Sequence, residues 1–238
     1  MLGTLFGVGV GPGRADWLTM RAVEILRSVG VVAHPGTRHD GYALNIVSHL
    51  LDPQRQDIVG LELPMQGAED SWKPHWQQSA RRLAKYLATG DDVAVITEGD
   101  PMLYSTFGYV MQAVLKVLPT LQVEVVPGVS SMAGAAAQLQ MPLVYGRDTL
   151  AVVPSGSRED IFQALTYHHT VVFLKVGRMI TTLIAVLSDM QLLDRAVAIS
   201  HVSSNRQEIV SDIRQLLEPD RIVPYMTIVI VSKDAKEC

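Results

Sequence analysis

Short apolar runs rich in β-branched residues alternate with longer segments whose apolar positions recur at helical spacing, and this alternation repeats along the chain. A strand buried on both faces reads as a continuous apolar run, whereas a helix lying over it shows apolar residues about every 3.6 positions. Strand, helix and strand joined by short connections satisfy both patterns as a mostly parallel sheet flanked by helices. The fold class is therefore α/β.

Gly3 to Val10 is the first strand, broken at Gly11-Pro12-Gly13, and Asp16 is the expected cap of a helix through Val29. Val31 to Ala33 ends at His34-Pro35-Gly36, Tyr42 to Leu51 is helical and stops at Asp52-Pro53, and Val59 to Leu63 is a weaker strand. Ser71-Trp72-Lys73-Pro74 opens a helix to about Ala88 with proline in its first turn. Strand Val93 to Ile96, helix Tyr109 to Leu118, strand Val123 to Val126 and a small-residue helix through Ala137 continue the series. The periodicity then lapses around Met141 to Asp148, which places the expected boundary between domains at residues 1–143 and 144–238. Beyond it, strands are expected at Thr149 to Val153, Thr170 to Leu174, Ala196 to His201, Glu208 to Val210 and Met226 to Val231. Helices are expected from a capping box at Ser157 and Asp160 to Tyr167, from Met179 to Met190, and from Ile213 to Leu217.

A chain of 238 residues, 48% hydrophobic and 18% charged, buries a sizeable core. Its net charge of −4 speaks against nucleic acid or an anionic membrane as the main partner. A single cysteine, Cys238, excludes an internal disulfide framework and fits a reducing compartment. The first residues carry no basic region followed by a long apolar core, so neither a signal peptide nor a membrane span is expected, and the cytoplasm is the expected location.

The strand Val93 to Ile96 stops at Gly99-Asp100-Pro101, where proline lacks a donor and disfavours helical geometry in the residue before it. Backbone groups are left free there, at the carboxyl end of a strand, which is where open α/β sheets bind ligands. Asp100 reads either as a turn residue bonded to its own backbone or as a site residue. Pro127-Gly128-Val129-Ser130-Ser131 is a second such loop, whose serines either cap the next helix or offer hydroxyls to a ligand; it lacks the spacing of a hydrolase nucleophile. Gly7-Val8-Gly9-Val10-Gly11-Pro12-Gly13 misses the dinucleotide frame, since the sixth position is Pro12 or Arg14, and no Gly-Lys-Ser/Thr follows for a phosphate loop. Its glycines either pack strand against turn or let a ligand lie against the backbone. The seven histidines show no ligand spacing, and no metal is expected.

Three elements together resemble a known family: the glycine-rich run from Gly7 with Leu18-Thr19 and Ala22, the stretch Glu98-Gly99-Asp100-Pro101-Met102-Leu103-Tyr104-Ser105-Thr106, and Val126-Pro127-Gly128-Val129-Ser130-Ser131. They are similar to the tetrapyrrole methylases, the class III S-adenosylmethionine (SAM)-dependent methyltransferases, and the likeness runs along nearly the whole chain, including Val171 to Arg178 and Pro224 to Val229. Glu98 to Pro101 followed by Tyr104-Ser105-Thr106 is similar to the branch that methylates C20 of precorrin-2 or cobalt-factor II in cobalamin (vitamin B12) biosynthesis. The resemblance implies two α/β domains, the first sheet mostly parallel and the second mixed, with SAM in the cleft between them, a tetrapyrrole substrate and a homodimer. It assigns SAM to Glu98, Gly99, Asp100 and Leu103, to Ser130 and Ser131, to Leu174 or Lys175, to Val202 and to Thr227, and the substrate side to Gly11, Pro12 and Gly13. Arg14-Ala15-Asp16 departs from the Asp-Pro-Glu common after Gly-Pro-Gly, so no acid stands at position 14.

Methyl transfer from a sulfonium needs alignment and exclusion of water more than a nucleophilic side chain. A proton must leave the methylated carbon, and Asp100 and Tyr104 are the candidate catalytic residues, with buffer or a substrate carboxylate as the other acceptors. A polycarboxylate substrate calls for local positive charge, for which Arg14, Arg38, Arg147 and Arg178 stand in or beside loops. Methylation of another tetrapyrrole carbon is the alternative within the family. A nicotinamide-dependent oxidoreductase is the alternative outside it, disfavoured by the glycine frame.

Overall fold

The computed structural model describes residues 1–37, 40–62, 69–154 and 156–233. The chain forms two compact units, Met1–Ser130 and Ser131–Cys238.

The first unit is a sheet of five parallel strands in the order β3-β2-β4-β1-β5: β1 Thr4–Gly9, β2 Val31–Pro35, β3 Asp57–Leu61, β4 Val93–Thr97 and β5 Gln122–Val126. Alternate residues of each strand face opposite ways, and both faces are covered. Phe6, Val8, Ala94 and Ile96 pack with Ile25 and Leu26 of α1 (Met20–Ser28) and Ile46 and Val47 of α2 (Tyr42–Val47). Leu5, Val93 and Val95 pack with Leu83 and Leu87 of α3 (Glu69–Thr89) and Phe107 and Val110 of α4 (Phe107–Val117). β1 and β4 are neighbours in register from Leu5↔Val93 to Gly9↔Thr97, yet the helices that follow them lie on opposite faces of the sheet. Their carboxyl ends therefore flank the point where the winding reverses, the place where such sheets leave a crevice.

Two local readings are corrected. Thr19, not Asp16, caps α1: its hydroxyl accepts from the Ala22 N–H at 3.1 Å, while Asp16 is drawn into an ion pair with Arg14. α3 begins at Glu69, so Pro74 lies inside the helix and not in its first turn. Leu63, the expected end of the third strand, lies outside the described residues, and β3 ends at Leu61.

The second unit has a mixed sheet in the order β6-β7-β10-β8-β9: β6 Leu150–Val153, β7 Thr170–Leu174, β8 Ala196–Ser200, β9 Glu208–Val210 and β10 Thr227–Ser232. Among the described residues β6 and β7 are the only neighbours paired in parallel; β10 is antiparallel to both β7 and β8, and β9 to β8. One face packs against α6 (Arg158–Tyr167) and α7 (Ile180–Asp189) through Ile161, Leu165, Leu183 and Leu187. The expected capping box is present at α6, with Asp160 N–H donating to Ser157 Oγ and Ser157 N–H to the Asp160 carboxylate. α5 (Ser131–Gln138) covers the other face, its Ala135 buried with Val172, Ile199 and Ile230. That packing assigns α5 to the second unit, so the division falls after Ser130 and not after residue 143.

Candidate functional site

In the first unit, three loops meet at the carboxyl ends of β1, β4 and β5. Gly11 and Gly99 form an antiparallel bridge, Gly99 N–H donating to the Gly11 carbonyl at 2.9 Å and Gly11 N–H to the Gly99 carbonyl at 3.3 Å. Both take positive φ, +75° and +64°, a conformation that favours glycine. Gly9 and Gly128 approach each other across the strand ends. A Cβ on Gly9 would lie 2.6 Å from the Gly128 nitrogen and from the Gly99 oxygen; a Cβ on Gly128 would lie 2.2 Å from that same oxygen. The glycine-rich run thus serves close packing of three backbones, and the loop after β1 is pinned from α2 by Tyr42, whose hydroxyl donates to the Pro12 carbonyl at 3.1 Å.

Asp100 is bonded at both oxygens. Oδ1 accepts from Met102 N–H at 2.8 Å and Oδ2 from Gly128 N–H at 3.1 Å. The first is the turn bond expected of Asp before Pro, and the second joins the loop after β4 to the loop after β5. Beyond it the chain exposes Met102, Leu103 and Tyr104, at 62%, 36% and 48%, with Tyr104 held at φ +50°. Glu98 and Ser130 are half-buried beside these turns. Thr97 ends β4, and its hydroxyl is buried with no hydrogen-bond partner among the described residues.

In the second unit, the residues assigned by resemblance gather at one end of the sheet. Leu174 pairs with Ile228, and Thr227 with Ser200, whose hydroxyl is 2.7 Å from that of Thr227. Leu174, Val202 and Thr227 are buried, while Lys175 is exposed with Nζ 5.9 Å from the centre of the Tyr225 ring. Lys175, His201 and Ser203 all adopt left-handed φ, at +56°, +48° and +61°. Non-glycine residues in that region carry strain of about 1–3 kcal/mol each, and such strain gathers at functional sites. Sequence reasoning missed His201 and Ser203 because it looks for glycine where φ is positive. Ser131 begins α5 in this unit.

Burial, and then the charge of Arg206, holds the His201 imidazole below its usual 6.5. The unfolded chain binds that proton more readily than the folded one, so stability is full above 6.5 and falls as pH drops toward the folded value. His201→Asn is expected to give a shallower decline of Tm between about pH 7 and pH 5 than the wild type, read by thermal melts across that range.

In the second unit, Arg147 and Arg178 stand at opposite ends of the sheet. Arg14, after β1, is bonded to Asp16, which keeps that carboxyl below the usual carboxylate range. Arg178 is exposed in the turn Val176–Arg178 after β7. Arg147 precedes β6, which runs parallel to β7, so it lies at the end of the second sheet away from Leu174. Arg38 lies outside the described residues.

The family description Tetrapyrrole (Corrin/Porphyrin) Methylases matches residues 4–217. The chain is 32% identical over 236 residues to a cobalt-precorrin-2 C(20)-methyltransferase of Salmonella typhimurium, covering 98% of each. It is 30% identical to a precorrin-2 C(20)-methyltransferase of Sinorhizobium sp, covering 97% of this chain and 95% of the relative. Its fold is similar to the crystal structure of uroporphyrin-III C-methyl transferase from Thermus thermophilus complexed with S-adenyl homocysteine, with a TM-score of 0.68 at 20% identity over 97% of this chain and 98% of that one.

Proposed function

The chain belongs to the tetrapyrrole (corrin/porphyrin) methylase family, and from that premise we propose that it transfers a methyl group from SAM to C20 of precorrin-2 or its cobalt-containing counterpart, a step of cobalamin synthesis. The observation that carries this reading is the end-to-end likeness to relatives named for C20 methylation, 98% of both chains in the first case. The loops of the first unit offer a cofactor a close-packed backbone platform at the strand ends, where Gly9 and Gly128 meet neighbouring backbone so closely that no Cβ fits at either and Gly11 is bridged to Gly99. Glu98, Gly99, Asp100, Leu103 and Ser130 would hold the cofactor there. Bound SAM supplies a methyl group activated on a sulfonium sulfur, which passes to C20 as the carbon–sulfur bond breaks, leaving S-adenosylhomocysteine while C20 releases a proton.

The chain's own contribution is to orient the two reactants and keep water out, for which short, cross-linked loops are suited. Gly11, Pro12 and Gly13 are our assignment for the substrate side, and Arg14 beside them is the arginine we assign to substrate carboxylates. Tyr104, strained and exposed on the loop after β4, is our assignment for passing the C20 proton onward. Tyr104→Phe is expected to lower kcat about tenfold or more while leaving affinity for S-adenosylhomocysteine unchanged, measured by steady-state assay and calorimetry. The same reading makes the enzyme a cytoplasmic homodimer. Among the described residues no helix is long and apolar enough to cross a membrane.

The test is incubation with methyl-labelled SAM and precorrin-2, with and without cobalt in the macrocycle, followed by mass spectrometry and NMR of the product. One label at C20 is the expected outcome. A label at another carbon would move the protein to a different branch of the family, and failure to bind SAM alongside tight NADH binding would sink the methyltransferase reading.

A further inference from the structure

Asp100 lies on the loop that carries Gly99 and Leu103, which the proposed function gives to the cofactor together with Ser130 on the loop after β5. Pro101 has no N–H, so the first backbone donor its carboxylate meets on its own loop is Met102, which takes Oδ1 at 2.8 Å. That bond fixes the plane of the carboxylate, and Oδ2 accepts from the Gly128 N–H at 3.1 Å, 28 positions along the chain. Gly128 reaches this point only because Gly9 beneath it carries no side chain. The loop after β4 is already joined to the loop after β1 through the Gly11 and Gly99 bridge. Asp100 adds the link from β4 to β5, so the three loops form one connected backbone unit.

We propose that Asp100 is a positioning residue that ties the loop after β5 to the loop after β4 and sets their spacing for the cofactor, and that it is not the acceptor of the C20 proton. This rests on the cofactor reading above. A carboxylate that accepts two backbone N–H bonds is held in one orientation, and charge-assisted bonds of this kind are the stronger ones. Taking a proton would break one of them and release the loop it holds, so the role of base and the role of tie oppose each other. Asn in its place keeps the size but presents an NH2 group to one of two N–H donors, so one bond is lost and a donor is left facing a donor.

The experiment compares the wild type with Asp100→Asn by calorimetric titration of S-adenosylhomocysteine, by kcat and the KM for SAM, and by the pH profile of kcat. Affinity for S-adenosylhomocysteine is expected to fall about tenfold or more, KM for SAM to rise in parallel, and the acid limb of the kcat profile to keep its place. Unchanged affinity with kcat and the acid limb lost would make Asp100 the base and overturn the proposal, as would unchanged behaviour throughout. Amide hydrogen exchange on the unliganded wild type keeps the tie testable if the variant does not fold: the Gly128 N–H is expected to be protected, and exchange at the rate of a free loop overturns the tie. A wild type that binds no S-adenosylhomocysteine would instead defeat the cofactor reading, and the tie is then judged by exchange alone.

Discussion

Gly128→Ala is expected to weaken binding of S-adenosylhomocysteine by about tenfold or more, because the strand-end loops assigned to the cofactor must move apart and lose a backbone hydrogen bond. The new Cβ would lie 2.2 Å from the Gly99 oxygen and 2.8 and 2.9 Å from the carbonyl carbon and Cα of Gly9. All three are backbone atoms of neighbouring strand-end loops, and none has a rotamer by which to move aside. The loops after β1, β4 and β5 must separate, which also breaks the Gly128 N–H bond to Asp100. Gly9→Ala should act alike from the opposite side, with its Cβ 2.6 Å from both the Gly128 nitrogen and the Gly99 oxygen. Gly108→Ala in α4 is the control. Nothing lies within 4 Å of its added Cβ, so binding should be kept, and the helix should gain about 0.5–1 kcal/mol. Calorimetry with S-adenosylhomocysteine on the three variants checks the contrast.

Phe107→Ala should destabilise the first unit by about 3–5 kcal/mol, the range for emptying a buried aromatic position. Phe107 is fully buried as the first residue of α4, and its ring occupies the space where Gly7 of β1 lacks a side chain: a Cβ on Gly7 would lie 2.3 Å from two ring carbons. Small strand residue and large helix residue are therefore two halves of one packing solution. Gly7→Ala alone should also destabilise, by overpacking against the ring. In the double variant the methyl enters the space the ring vacated, so the combined loss should be smaller than the sum of the two. Denaturant unfolding followed by tryptophan fluorescence reports on this unit in particular, since Trp17, Trp72 and Trp76 all lie within it.

Strand-and-helix alternation was legible because each strand of the first unit ends near glycine or proline, where pattern and punctuation agree. Agreement failed where two side chains compete for one role. Asp16 is a good cap by type, but Arg14 two residues earlier claims its carboxylate, and Thr19 takes the helix end. The boundary between units was displaced because small residues such as Ala135 carry little sequence signal for the sheet on which they pack. Arg147 shows a different limit: a basic residue in a loop can be placed at one end of a sheet only when the direction of the adjoining strand is known, and β6 runs so as to put it at the end away from Leu174. The loop Glu98 to Thr106 stood out from sequence as a site, yet the bond from Asp100 to Gly128 did not, because its partners are far apart in sequence and one is a backbone N–H. Lys175 was reached by resemblance alone, and nothing in a lysine announces left-handed φ.

β10, the last strand of the second sheet, lies at its centre, bonded to β7 on one side and β8 on the other. During synthesis the first sheet has all five of its strands once residue 126 has been made, and chains fold domain by domain as they emerge. The second sheet has no such early finish. Until Thr227 to Ser232 are available, β6 with β7 and β8 with β9 are separate ribbons, each with an open edge where β10 belongs. A nascent chain therefore carries a finished first unit beside a second whose apolar strands await their central partner, and that interval is when this protein is most exposed to misassociation with other chains.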